Sequence, residues 1–108
     1  MPFKIELEER EWEAVREVAR ALRFFAENRM YTYIDRIADA YSPVVAVAAL
    51  KDALRALRSE AARNASIYLP SEDNVELVIK LLSRNRDLGN VLAALALAFR
   101  PKKSDEGS

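Results

Sequence analysis

The sequence predicts an all-α fold: one compact bundle of about five helices, preceded by a short extended N-terminal arm. Apolar residues recur at three- and four-residue spacing through most of the chain. Helix-starting and helix-stopping residues punctuate it at Ser42-Pro43, Ser71 and Pro101. The chain has 108 residues, 51% hydrophobic and 31% charged, which is one globular domain with a modest core. We expect residues 1–100 to form that domain and 101–108 to be a flexible polar tail.

Each element has its own signal. Phe3, Ile5 and Leu7 alternate with Lys4, Glu6 and Glu8, a period of two that reads as an extended arm or edge strand. Helix one runs from about Glu9 to Asn28, on a stripe of Trp12, Val15, Ala19, Leu22 and Ala26 widened by Val18 and Phe25. Glu8, Glu9, Glu11 and Glu13 crowd its start, where carboxylates favour the helix dipole; a metal site there would need further oxygens from elsewhere in the fold. Helix two spans about Thr32 to Ala40, with Tyr33, Ile34, Ile37, Ala38 and Tyr41 on its apolar side.

Ser42 as N-cap and Pro43 at the first helical position open helix three, which runs to about Arg63. Val47, Leu50, Leu54, Leu57 and Ala61 form its stripe. After a loop from Asn64 to Pro70, Ser71 caps helix four, with Val75, Val78, Ile79 and Leu82 facing inward. Arg84-Asn85-Arg86 interrupts the pattern. Helix five, Leu88 to Arg100, is apolar nearly all round. Such a helix is either central to the bundle or partly covered by another chain.

What the sequence lacks bounds what it does. It contains no histidine, cysteine or glutamine. Disulfides, thiolate nucleophiles and the usual structural zinc sites are therefore excluded. So are Ser–His–Asp, Cys–His and HExxH centres. We expect no enzyme, no cofactor, no metal and no small-molecule substrate. The apolar runs Pro43–Leu50 and Val91–Phe99 are far short of the ~20 residues that span a bilayer, and the first five residues carry no signal-peptide core. A cytoplasmic protein without membrane partners is expected. The charge-rich, cysteine-free composition suits a heat-adapted organism.

Formal charge is zero, with 17 basic and 17 acidic side chains. That balance hides a segregation: residues 1–13 carry a net of −3 and residues 14–63 a net of +3. Arg16, Arg20 and Arg23 stand at i, i+4 and i+7, as do Lys51, Arg55 and Arg58, so each set forms a stripe along one helical face. Like charges at this spacing repel slightly, and a phosphate backbone accepting arginine's forked donors would relieve them. Arg29, Arg36 and Arg63 could extend the track. The competing reading is a solvated face, with Glu13, Glu17 and Asp52 pairing with Arg16, Arg20 and Arg55 three residues on.

Phe24, Phe25, Tyr31, Tyr33 and Tyr41 gather near the turn between helices one and two. Aromatics at helical spacing are ordinarily core; Phe24 lies off the main stripe and is the best candidate for an exposed contact, with a protein or a base. A helix-turn-helix reader built from helices four and five is rejected, because a recognition helix presents polar groups to base edges and helix five presents Leu, Val and Ala.

The segment Tyr31-Thr32-Tyr33-Ile34-Asp35-Arg36-Ile37-Ala38-Asp39-Ala40-Tyr41-Ser42-Pro43, continuing through Leu50-Lys51-Asp52-Ala53-Leu54-Arg55, resembles the small subunit of archaeal type I-A CRISPR effector complexes, the crRNA-guided assemblies called Cascade. The likeness is greatest over roughly residues 10–60. It implies a helical bundle that stacks in several copies, packs against the guide-holding backbone subunits and helps to hold opened target DNA and its R-loop, without nuclease activity. It carries over no catalytic or invariant binding residue. Partners implied are the backbone subunits, sister small subunits and single-stranded DNA or crRNA. Candidate nucleic-acid-binding residues, inferred from spacing, are Arg16, Arg20, Arg23, Arg29, Lys51, Arg55 and Arg58. The alternative is a protein–protein adaptor or oligomerisation module, resting on the apolar helix five and Ala-rich helix three.

Overall fold

The computed structural model describes residues 5–98. Five helices are seen: α1 (Glu9–Glu27), α2 (Tyr31–Ala38), α3 (Pro43–Arg63), α4 (Glu72–Arg84) and α5 (Leu88–Ala98). No strand occurs among the described residues. The proposed tail, along with Phe3 and Lys4 of the proposed arm, lies outside the described residues. Ile5 and Leu7 are non-helical and half-buried, and they form a shallow recess with Leu81 and Leu88. The lead-in therefore packs on the bundle as a short arm and not as a strand.

The helix ends are made by local hydrogen bonding. The Glu8 backbone N–H donates to the Glu11 carboxylate at 2.9 Å, so part of the acidic cluster serves to start α1. Ser42 Oγ accepts from the Val45 N–H at 3.2 Å, and Ser71 Oγ accepts from the Asn74 N–H at 3.2 Å, the two N-caps read from sequence. At the end of α1 the Met30 N–H donates to the Phe25 carbonyl (2.7 Å) and the Arg29 N–H to that of Ala26 (3.3 Å). This is the paired closure of a Schellman motif, with Arg29 at φ 59° in the left-handed position glycine usually takes.

α1 is the central element. It packs against all four other helices, most extensively α5 and α4, while α2 lies on α3 and α5. Val15, Val18, Leu22 and Phe25 of α1 are fully buried, together with Ile34, Ile37, Leu50, Leu57, Leu82 and Leu92 from the other four. Phe25 stacks on Tyr33 with centroids 4.6 Å apart and meets Phe24 edge-on at 5.4 Å. α2 and α5 approach closely at Gly89, where an added Cβ would lie 2.9 Å from the Ile37 carbonyl oxygen.

Several expectations change. α5 is not the central helix: Leu88, Leu92, Ala93 and Ala96 are buried, but Ala94 and Ala98 are exposed and Val91 and Leu95 half-covered. Its apolar circumference fills the groove between α1 and α2 and leaves an apolar outer edge. α2 ends two residues early, at Ala38, so Tyr41 falls in the turn and points away from the core at 87% exposure. Trp12 and Val47 sit at the margin of the core, half-buried.

The interrupting segment 84–86 has a structural use. Arg86 donates from Nη1 to the carbonyls of Ala38 (3.0 Å) and Ala40 (2.8 Å), closing the C-terminal end of α2 from the turn between α4 and α5. Its Nη2 meets Asp87 at 3.1 Å. Asn90, with its amide oriented to satisfy both neighbours, donates to the same Ala38 carbonyl and accepts from Arg86.

Candidate nucleic-acid interface

The two basic stripes lie on different helices and line different clefts. The first cleft, about 340 Å³, runs between α1 and the loop that joins α3 to α4; its walls include Arg20, Arg23, Phe24, Asn64, Ile67 and Tyr68. The second, about 250 Å³, lies between α3 and α4; Lys51, Arg55 and Arg58 rim it, over a floor of Leu54, Val75 and Ile79. The i, i+4, i+7 spacing places the α3 cations along one edge. The apolar floor comes from two helices packed side by side.

The stripes differ in how their charges are already used. On α1, Arg16 pairs with Glu9 at 3.1 Å, two turns back, and not with Glu13. Arg23 pairs with Glu27 at 3.5 Å. The Arg20 guanidinium lies over the Tyr68 ring, 4.4 Å from its centroid. Every α1 cation of the stripe thus has an internal partner. On α3, Asp52 holds Arg55 at 3.3 Å, as its spacing predicts, and also reaches Arg36 of α2 at 3.7 Å. Lys51 and Arg58 are exposed, and among the described residues neither has a carboxylate within ion-pair distance.

The remaining candidates stand apart. Arg29 is exposed at the α1–α2 turn and lines neither cleft. Arg36 belongs to the Asp52 bridge between α2 and α3, and Arg63 pairs with Glu60 at 3.1 Å. Phe24 is half-buried in the wall of the first cleft.

Glu17 does not pair with Arg20, contrary to its spacing. Its carboxylate crosses to α4 and accepts the Ser71 backbone N–H at 2.8 Å and the Asn74 side-chain amide, with the Tyr68 hydroxyl near enough to favour its charged form. Partial burial pushes this carboxyl up, but those donors and the nearby charge of Arg10 outweigh it and hold it below its ordinary value. For Tyr68 the burial acts in the same direction as the bond to Glu17 and that residue's charge, and its hydroxyl is held above the usual phenol range against the pull of Arg20. Nothing in local spacing reveals this network, because its members are 54 and 57 residues apart.

No group of three or more acidic, histidine or cysteine side chains among the described residues is placed to hold a metal ion. No described helix is long and apolar enough to cross a membrane.

Residues 21–67 match the model of a family described as CRISPR-associated protein (Cas_Csa5). Over this segment the chain is similar to Csa5 proteins. The resemblance read from residues 31–55 to type I-A small subunits is thereby borne out. The matched segment begins in the second half of α1 and ends in the α3–α4 loop, so it contains the whole α3 stripe and both partners of the Arg36–Asp52 bridge. Searches among curated proteins and among solved structures returned no match.

Proposed function

We propose that this chain is a non-catalytic small subunit of a type I-A CRISPR surveillance complex, packing along the backbone subunits in the cytoplasm and steadying opened target DNA through the basic face of α3. The observation that carries this reading is the α3–α4 cleft: Lys51, Arg55 and Arg58 rim it, and among the described residues two of the three have no carboxylate within ion-pair distance. Cations left to water release counterions when phosphates replace solvent, which gives sequence-independent, salt-dependent binding. A single subunit supplies few such contacts, and several copies in a row would add them by avidity. The absence of histidine and cysteine from the sequence supports a binding role over chemistry.

The test is binding of labelled single-stranded DNA across a salt series, with Lys51→Glu/Arg58→Glu beside wild type. Removing two phosphate contacts should flatten the slope of log K against log salt by about 1.4. In the reassembled effector the same variant should still incorporate but hold an R-loop less well. Wild-type slope and wild-type R-loop lifetime in that variant would remove α3 from the interface.

A second reading, an adaptor without nucleic-acid contact, is favoured by the exposed Tyr41 and Val44, at 87% and 78%, beside the apolar recess of Ala40, Val45 and Ala49. It requires a sedimentation profile that single-stranded DNA leaves unchanged at every salt concentration.

A further inference from the structure

The first cleft differs in chemistry from the second. Its lining carries two arginines and the Glu27 carboxylate, whereas the α3 cleft carries three cations and no carboxylate. It is also aromatic: Tyr68 and Phe24 both contribute to its walls. The volume, about 340 Å³, falls at the lower end of the ~300–1,000 Å³ typical of small-molecule sites. That suits one planar group better than a length of phosphate backbone.

Three features make the cleft a ready-built stacking site. Tyr68 is 38% exposed and its ring forms part of the cleft wall. The Arg20 guanidinium already lies over that ring, 4.4 Å from its centroid, and guanidinium planes stack on bases as they do on tyrosine. The amide side chains at the cleft edge are half-used. Asn28 Nδ2 donates to the Phe24 carbonyl at 2.8 Å, which leaves its oxygen as an acceptor. Asn64 Oδ1 accepts from the N–H and hydroxyl of Ser66, which leaves its NH₂ as a donor. An acceptor and a donor beside an aromatic wall is the equipment for a base edge, and none of it is needed for a phosphate.

We infer that this cleft takes one unstacked nucleobase of a bound single strand, stacked against the Arg20–Tyr68 pair. The inference rests on the nucleic-acid reading above and adds a subsite to it: α3 holds phosphates, and the α1–loop cleft holds a base. Arg20 thereby changes role, from a phosphate ligand to part of a stack.

The test compares the affinity of the full chain for oligothymidylate with that for an abasic strand of the same length, at low salt. Base stacking should make the oligothymidylate bind at least about fivefold tighter. Tyr68→Ala should bring the two affinities together, and Tyr68→Phe, which keeps the ring, should keep them apart. Circular dichroism of both variants verifies that the helices are intact, and the wild-type ratio needs no variant at all. Equal wild-type affinities, or a ratio that survives Tyr68→Ala, would overturn the base subsite while leaving phosphate binding by α3 in place. If neither strand binds, the subsite and the reading beneath it fall together.

Discussion

Gly89 of α5 sits against the backbone of Ile37 of α2 so closely that a single added carbon would stand 2.9 Å from the Ile37 carbonyl oxygen. The obstacle is backbone, which cannot rotate away as a side chain can. Gly89→Ala should therefore push α2 and α5 apart and lower stability by about 1–3 kcal/mol, despite the better helix propensity of alanine. Denaturant unfolding measures it; an alanine variant as stable as wild type would mean that α2 and α5 separate without cost.

Arg29 presents the opposite case. It occupies a left-handed conformation at the end of α1 without glycine's freedom. Arg29→Gly should raise stability by about 0.5–1 kcal/mol and leave strand binding unchanged, since Arg29 lines neither cleft. A thermal melt and a binding isotherm on the same preparation check both halves.

The Glu17 carboxyl is held below its ordinary value of 4.5 by the donors it accepts from α4 and its loop. The unfolded chain therefore takes up the proton first as pH falls. The stabilisation is complete above the ordinary value and is lost as pH drops through the folded one. Glu17→Gln should cost about 1 kcal/mol near neutrality and flatten the acid limb of the stability–pH profile. An unchanged acid limb would mean that other carboxylates carry it.

Arg86 closes the end of α2 with two hydrogen bonds from one nitrogen. Arg86→Ala leaves the Ala38 and Ala40 carbonyls without these donors and should cost about 1.5–3 kcal/mol. Lysine lacks the planar fork and should recover only part of that. Equilibrium unfolding of the two variants orders them.

The two stripes should part company under charge reversal. Arg16→Glu/Arg20→Glu/Arg23→Glu places new carboxylates beside Glu9 and Glu27 and removes the stack on Tyr68; it should lower the melting temperature. Lys51→Glu/Arg58→Glu breaks no ion pair among the described residues and should leave stability within about 0.5 kcal/mol of wild type. Equal losses would mean that the α1 cations are no more engaged in internal pairs than those of α3.

Helix positions were legible in the sequence because caps and apolar period are local properties. Ser42-Pro43 and Ser71 mark starts, and α3 is bounded by the residues its pattern names. Cation pairing was less legible. Asp52–Arg55 follows from spacing, but Arg16 chose Glu9 over Glu13, and Glu17 left its own helix for the start of α4. Spacing gives the neighbours available along one helix and is blind to those brought in by packing. The same blindness hid Tyr68, which no periodic signal marks because it lies in a loop. It also hid Arg86, whose partners come from α2, far away in the chain.

The reach of Glu17 to Ser71 has a bearing on the order in which the bundle comes together. Ser71 Oγ satisfies one amide at the start of α4, while the Ser71 N–H itself finds its acceptor on a helix 54 positions earlier. The first turn of α4 is therefore complete only when α1 is docked beside it, and an isolated 65–98 fragment would begin that helix with a frayed end. Amide exchange at Ser71 thus registers the seating of one helix on another. It serves as a built-in reporter of tertiary assembly in a segment that looks, residue by residue, like a self-sufficient helix start.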